Sequence, residues 1–463
     1  MRNLLRFLLF LPVLLLAAPA VFSVEPVQEQ TPGGRVFSTV PGDPFGFRVR
    51  KLDNGLTLWL ARNPEKPRIA TLIAVRAGSV QDPADSTGLA HYFEHLMFKG
   101  SEKIAALDWK KEKPLLDRIS ALYEQYRAEK DPAKRRAIYK EIDRVSGEAA
   151  RFANDEYWTL VRDMGASGTN AFTSNELTAY VNNIPANMLD RFLALEKERF
   201  SNIALRRFHT ELETVYEEFN RSQDNENRQV FYALFRMQYP ESPFGRPVLG
   251  LPEHLKSPSI KDVAAFFEQY YVPGNMAVIL CGDIDLDKAS EAVEKTFGTL
   301  PAKPVRRNDP APERLLTENR TETVTGQQSE SVSILFRFPR DRKTDVLFDL
   351  AASVLQNGKC GLIDVDLNQA QKVLSASAGG WNNSQDNLLY LSARPLPGQT
   401  LESLRDLLLA EVDKLKNGQF DPSLLSAAAN NDRRKMISMA ENASTAANIA
   451  LHLFCDGQTM ADQ

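Results

Sequence analysis

The sequence predicts an α+β chain of two homologous α/β units, the second incomplete, with a helical hairpin inserted in the first. Three observations lead there. The composition is that of an average globular chain, 43% hydrophobic and 25% charged. The order of predicted elements before the Pro- and Arg-rich stretch 301–312 recurs after it. One segment, 111–154, breaks the first copy with two charged amphipathic helical stripes.

The elements follow in order. Residues 1–23 carry Arg2 and Arg6, an apolar run from Phe7 to Val21 and small residues ahead of Ser23, the layout of a cleaved secretory signal peptide. The run is interrupted by Pro12 and is short for a bilayer span. Cleavage would take the net charge from −4 to −6 and leave an exported chain, periplasmic or extracellular, with no stable membrane span. Residues 24–45, rich in Pro, Gly and Gln, read as a flexible leader.

The first unit is expected over 46–300. Asp53-Asn54-Gly55 marks a turn between two alternating runs within 48–62, and 69–77 is a buried strand. Residues 88–98 read as a helix with Leu89, Tyr92, Phe93 and Leu96 on its apolar side. In the insertion, Leu115, Ile119, Leu122 and Tyr126 form one stripe and Ile138, Ile142, Val145 and Ala149 the other, with Asp131-Pro132 between them. A strand follows over 168–182, helices over 186–200, 207–222 and 259–271, and a buried strand over 276–282.

Residues 301–312 read as a linker. The second unit, 313–463, repeats a strand (331–338), a helix (345–357), strands within 373–394 and helices over 401–415 and 422–439. It lacks a counterpart of the strand 276–282, which would leave an unpaired inner sheet edge. The expectation is therefore that residue 463 is not the natural end or that another chain completes this sheet.

The charge balance, 56 Lys and Arg against 60 Asp and Glu, argues against a nucleic-acid partner. Three cysteines rule out a disulfide scaffold, and with five histidines in all, their placement is informative. His91 and His95 stand one turn apart on the predicted helix, so both reach one metal ion. Glu94 lies beside that face, placed to accept a proton from an activated water. A catalytic zinc site needs a third protein ligand. His209, His254 and His452 qualify by type, though each reads as an ordinary surface or helix-end residue. Glu211 and Glu218, two helical turns apart on one face, are the better candidates, whereas Glu213 and Glu217 lie off that face.

The stretch GLAHYFEHLMFKGS (88–101) resembles the zinc-site helix of the insulinase/pitrilysin metallopeptidases, the inverzincins, which include the mitochondrial processing peptidases. ELETVYEE (211–218) is similar to that family's downstream glutamate helix, and NAFTS (170–174) to its substrate-pairing strand. The resemblance implies one Zn2+ per chain on His91, His95 and Glu218, Glu94 as general base, and Glu211 as a supporting carboxylate. It implies substrate pairing along Asn170 and Ala171, with peptide as substrate.

The chain departs from the family in two places. The stretch between His95 and Glu218 is longer than usual, and the hairpin accounts for most of the excess. Active members also use an Arg and a Tyr in a non-catalytic repeat to bind substrate and polarise its carbonyl, where this chain has Leu367 and Leu374. A partner subunit or a C-terminal half is expected to supply that pair. The sequence thus predicts an exported zinc endopeptidase. A non-catalytic or half-site subunit that binds peptide and needs a partner is the alternative.

Overall fold

The computed structural model describes residues 24–256, 258–341 and 344–462. The predicted signal peptide lies outside the described residues.

Eight strands form the first sheet: β1 (Val27–Gln30), β2 (Val36–Thr39), β3 (Arg48–Lys51), β4 (Thr57–Arg62), β5 (Arg68–Val75), β6 (Ser167–Thr173), β7 (Thr178–Pro185) and β8 (Met276–Gly282). Their order is β1-β2-β3-β4-β8-β5-β7-β6, and β4 with β8 is its parallel pair. All seven residues of β8 are buried, as a strand flanked on both edges and covered on both faces requires. The second sheet, order β10-β11-β9, joins β9 (Val332–Pro339), β10 (Ser375–Asn382) and β11 (Asp386–Arg394). It repeats the order β6-β7-β5 of the first.

Two expectations are corrected here. The stretch 24–45 is not a bare leader. β1 and β2 pair through a turn in which Gly34 has φ 83°, and β2 joins β3 with Phe37 fully buried. A burial pattern of only four residues per strand is too brief to stand out by alternation. The single strand expected over 168–182 is a hairpin, because Ser174-Asn175-Glu176 turns the chain and Ser174 N–H donates to Leu177 O at 2.8 Å. β6 is consequently the edge of the sheet.

The helices divide between two faces of the first sheet. On the front lie α1 (Leu89–Leu96), α2 (Trp109–Ala128), α3 (Pro132–Ala149), α4 (Glu156–Asp163), α5 (Leu189–Ser201), α6 (Phe208–Gln223), α8 (Ile260–Tyr270) and α9 (Leu286–Lys295), while α7 (Glu226–Gln238) packs against the second sheet. Leu58, Leu60, Ile73 and Val75 point toward this side and pack in one core with Phe93, Leu96 and Val215. Their neighbours Trp59, Ala61, Leu72 and Ala74 point the other way, as the two-residue period dictates.

α10 (Asp345–Leu355), α11 (Leu401–Lys416) and α12 (Ser423–Ala440) follow β9 and β11. α10 and α11 cover one face of the second sheet. The back of the first sheet is closed by α13 (Ala443–Asp456), whose Ala446, Ala447, Ala450, Leu451 and Phe454 pack there. None of α4, α7, α9 and this helix was expected. α7 links the sheets: its Leu234 shares a small core with Leu335 and Leu388 of the second sheet.

The insertion is an antiparallel pair, α2 and α3. Asp108 and Asp131 cap their N-termini, and Pro132 opens α3. Glu112 of α2 takes a two-pronged bond from Arg206, just ahead of α6, at 2.8 and 2.9 Å, with both side chains buried. Tyr123 Oη and His209 Nδ1 are hydrogen-bonded at 2.8 Å. The hairpin is therefore braced against the helix that carries Glu211 and Glu218.

Candidate active site

Gly88 starts α1 from a left-handed conformation, φ 82°, and a Cβ there would stand 2.6 Å from the Leu249 carbonyl oxygen. Asp82 receives the N–H groups of Gly88 and Ala90 at 2.7 and 2.9 Å, satisfying two free donors of the first turn. The apolar side, Leu89, Tyr92, Phe93 and Leu96, is buried. That leaves His91, Glu94 and His95 facing α6 and β6.

His91, His95 and Glu218 each present one ligand atom, all within 4.8 Å of one another. Glu218 Oε2 lies 3.7 Å from His91 Nε2 and 3.5 Å from His95 Nε2. Glu211, one face and two turns earlier on α6, stands 3.8 Å from His95 Nδ1 and accepts from Lys99 Nζ at 2.7 Å. Glu94 is outside the three-ligand cluster. Its Oε2 accepts a 2.7 Å bond from Thr173 Oγ1, at the end of β6.

The electrostatics of these groups diverge. Burial and the neighbouring His95 push His91 down to about 4, so it is a neutral imidazole near neutral pH. Burial opposes charge on His95 too, but Glu211 and Glu218 outweigh it and carry its pKa up to about 9. Burial raises the Glu94 carboxyl, with the Thr173 bond pulling against it. The hydrogen bond from His95 holds Glu218 below its ordinary range. Two imidazoles and one carboxylate are a catalytic-zinc donor set. His91 Nδ1 is buried and lacks a hydrogen-bond partner among the described residues. The cluster thus fits a divalent ion by chemistry and by spacing.

The other histidines stand elsewhere. His209 is buried rather than superficial and bonded to Tyr123, His254 lies 2.8 Å from Thr87 Oγ1, and His452 is exposed on α13. Glu213 and Glu217 are exposed. Asn170 and Ala171 lie on β6, opposite Val181 and Tyr180 of β7, and both line the cavity. Leu367 is buried in a short π-helix, Asp364–Gln369, and Leu374 is exposed, so no Arg or Tyr stands at either place.

The cavity over these groups measures about 1000 Å³. Part of its wall was not foreseen: Arg228, Phe231 and Tyr232 come from α7. The stripe Val230, Ala233, Leu234 and Met237 behind the cap Asn225 was the signal that could have found this helix.

Comparison with known proteins adds to this geometry. Residues 57–113, which include α1, match the family model described as Insulinase (Peptidase family M16), and residues 259–431 match Peptidase M16 inactive domain. Zinc protease PqqE of Helicobacter pylori is 24% identical over 387 residues, covering 81% of this chain and 76% of its own length. An uncharacterized zinc protease of Rickettsia felis is 23% identical over 256 residues, 55% of this chain and 50% of its own length. The chain thus spans about half the length of several curated relatives it matches.

Among solved structures, a protease from Helicobacter pylori superposes with TM-score 0.69 at 20% identity, over 89% of this chain and 90% of that one. The first half of the periplasmic protease PqqL from Escherichia coli gives 0.65 at 16% identity, over 91% and 84%. These likenesses are of fold. With one family model matching around α1 and a second from 259 to 431, across the stretch 301–312, and with relatives named as zinc proteases, the chain belongs to the insulinase family of peptidases, peptidase family M16.

Proposed function

We propose that this chain is an exported zinc endopeptidase, or the metal-binding half of one, acting on peptides and unfolded polypeptide segments. One observation carries the reading. His91, His95 and Glu218 converge within 4.8 Å, while Glu94, on the same helix as the histidines, is kept apart from them by its bond to Thr173. Zinc in such a set supplies Lewis acidity toward a carbonyl and makes water a stronger nucleophile near neutral pH.

The chain's own residues do the rest. β6 offers a free edge along Asn170 and Ala171, so an extended peptide adds there by main-chain hydrogen bonds. That ladder ends at Thr173, whose hydroxyl holds Glu94. The Glu94 carboxylate takes a proton from the attacking water and returns it to the leaving amine. Its raised pKa suits both halves of that exchange. Glu211 and Lys99 orient His95 from behind. Residues 1–23 and the naming of one structural neighbour as a periplasmic protease support export.

A second reading, a peptide-binding half-site that needs a partner, draws support from the leucines at 367 and 374. Cleavage of a mixed peptide library by the zinc-loaded chain, with Glu94→Gln alongside, separates the two. Turnover lost in the variant is expected of a self-sufficient peptidase. No turnover by either protein despite bound zinc means that the rest of the site lies in another chain or segment.

A further inference from the structure

The cations and carboxylates around the cavity are not evenly matched. Lys99 is bonded to Glu211, and Glu94 to Thr173. Glu226, next to the cavity on α7, is taken by the backbone N–H groups of Gln327 and Gln328. Glu218 faces the two histidines. Arg228 is left over. Among the described residues its guanidinium makes no salt bridge and no side-chain hydrogen bond, yet it lines the cavity beside the metal-ligand cluster.

Its backbone is held at the start of α7. Arg228 N–H donates to Asn225 Oδ1 at 3.1 Å in the first turn of α7. The opposite side of that helix is anchored by Leu234 in the core shared with the second sheet. Tyr232, one turn on, lines the same wall. The cap residue Asn225 and Asn227, at the start of α7, line the same cavity.

We infer that Arg228 is a specificity residue that binds a carboxylate of the peptide held in this cavity, supplied by an Asp or Glu side chain near the scissile bond or by a free C-terminus. A guanidinium offers planar, two-pronged donation that matches a carboxylate. The inference rests on the reading of the cavity as a peptide site.

The test measures binding. The zinc-loaded chain carrying Glu94→Gln is titrated, by fluorescence anisotropy, into labelled peptides that differ by Glu or Gln at one position, each as free acid and as amide. The same titrations are run with Arg228→Gln and Arg228→Lys added. Arg228 is exposed, so neither change threatens the fold. An acidic or free-acid peptide is expected to bind about tenfold or more tighter than its neutral counterpart. That ratio should collapse toward one in Arg228→Gln and be partly kept in Arg228→Lys. Dependence on the side chain or on the amide identifies which carboxylate is read. Peptide binding without charge preference, or a preference unchanged in Arg228→Gln, overturns this inference alone. Failure to bind peptides of any charge overturns the peptide-site reading and this inference with it.

Discussion

Thr173 Oγ1 donates a 2.7 Å hydrogen bond to Glu94 Oε2, joining the edge strand β6 to the carboxylate that stands beside the cluster of His91, His95 and Glu218. Strand and carboxylate are therefore mechanically one unit. Glu94→Gln should keep stoichiometric zinc and lose turnover by roughly 10²–10⁴-fold, the usual worth of a positioned base. Metal analysis and kcat on the same preparation check both halves. Retained turnover would remove Glu94 from the mechanism.

Thr173→Val bears on the same bond. The Thr173 bond favours the ionised form of Glu94, against burial. Without it the folded pKa rises further, so the ascending limb of kcat/KM against pH should move to higher pH. A profile superposable on that of the native chain would show that the bond does not act on the reacting carboxylate.

Glu218→Ala and Glu211→Ala should differ in kind. Losing Glu218 removes a ligand from the set of three, and zinc should be lost on dialysis against a weak chelator. Losing Glu211 leaves the set intact and frees His95, with a fall in zinc affinity of about 10–100-fold. Competition titration with a chromophoric chelator ranks the two. Equal affinities would move the third ligand to another residue.

The two histidines set opposite pH slopes in the metal-free protein. His91, held down to about 4, makes the unfolded chain the stronger proton binder between about 4 and its ordinary 6.5, so its contribution to stability rises with pH there. His95, raised to about 9, stabilises fully below its ordinary 6.5, and that contribution is lost as pH climbs through about 9. Stability from this pair should peak near pH 6.5. Zinc must displace the His95 proton, so its affinity should increase with pH up to about 9. Calorimetry in buffers of different ionisation enthalpy should find close to one proton released at pH 7.5.

Glu112 and Arg206 are each about 1% exposed at the side chain. Glu112→Ala strands a buried guanidinium, at a cost of about 3–5 kcal/mol. The urea midpoint should fall accordingly. Replacing both partners with apolar residues of similar volume should recover most of the loss, and a double variant as weak as the single one would refute the pairing as its cause.

Much of this was legible in the sequence because two signals were local. His91, Glu94 and His95 fall on one side of a helix whose other side is apolar, and β8 is an unbroken apolar run. Glu211 and Glu218 share a face by spacing alone, with Glu213 and Glu217 off it, but only the folded chain shows that this face meets His95 and His91. What stayed hidden depends on partners distant along the chain. The run 443–456 is rich in small residues, and nothing in Ala446, Ala447 and Ala450 says that they form a helix closing the back of the first sheet. The burial of His209 depends on Tyr123, which an insertion brings to it. Arg228 looks like any charge on a helix until the cavity wall is built around it.

The dependence of the first sheet on α13 has a consequence for biosynthesis. Trp59, Leu72, Ala74 and Ile279 are all translated well before Leu451 and Phe454, which cover them. At about 5–20 residues per second, the nascent chain spends many seconds with that apolar surface bare. The strands that carry the site can pair during this interval, but their rear remains sticky until residues 443–456 leave the ribosome. Chaperones that hold nascent chains have their natural target there, and a chain interrupted before residues 443–456 would display it permanently.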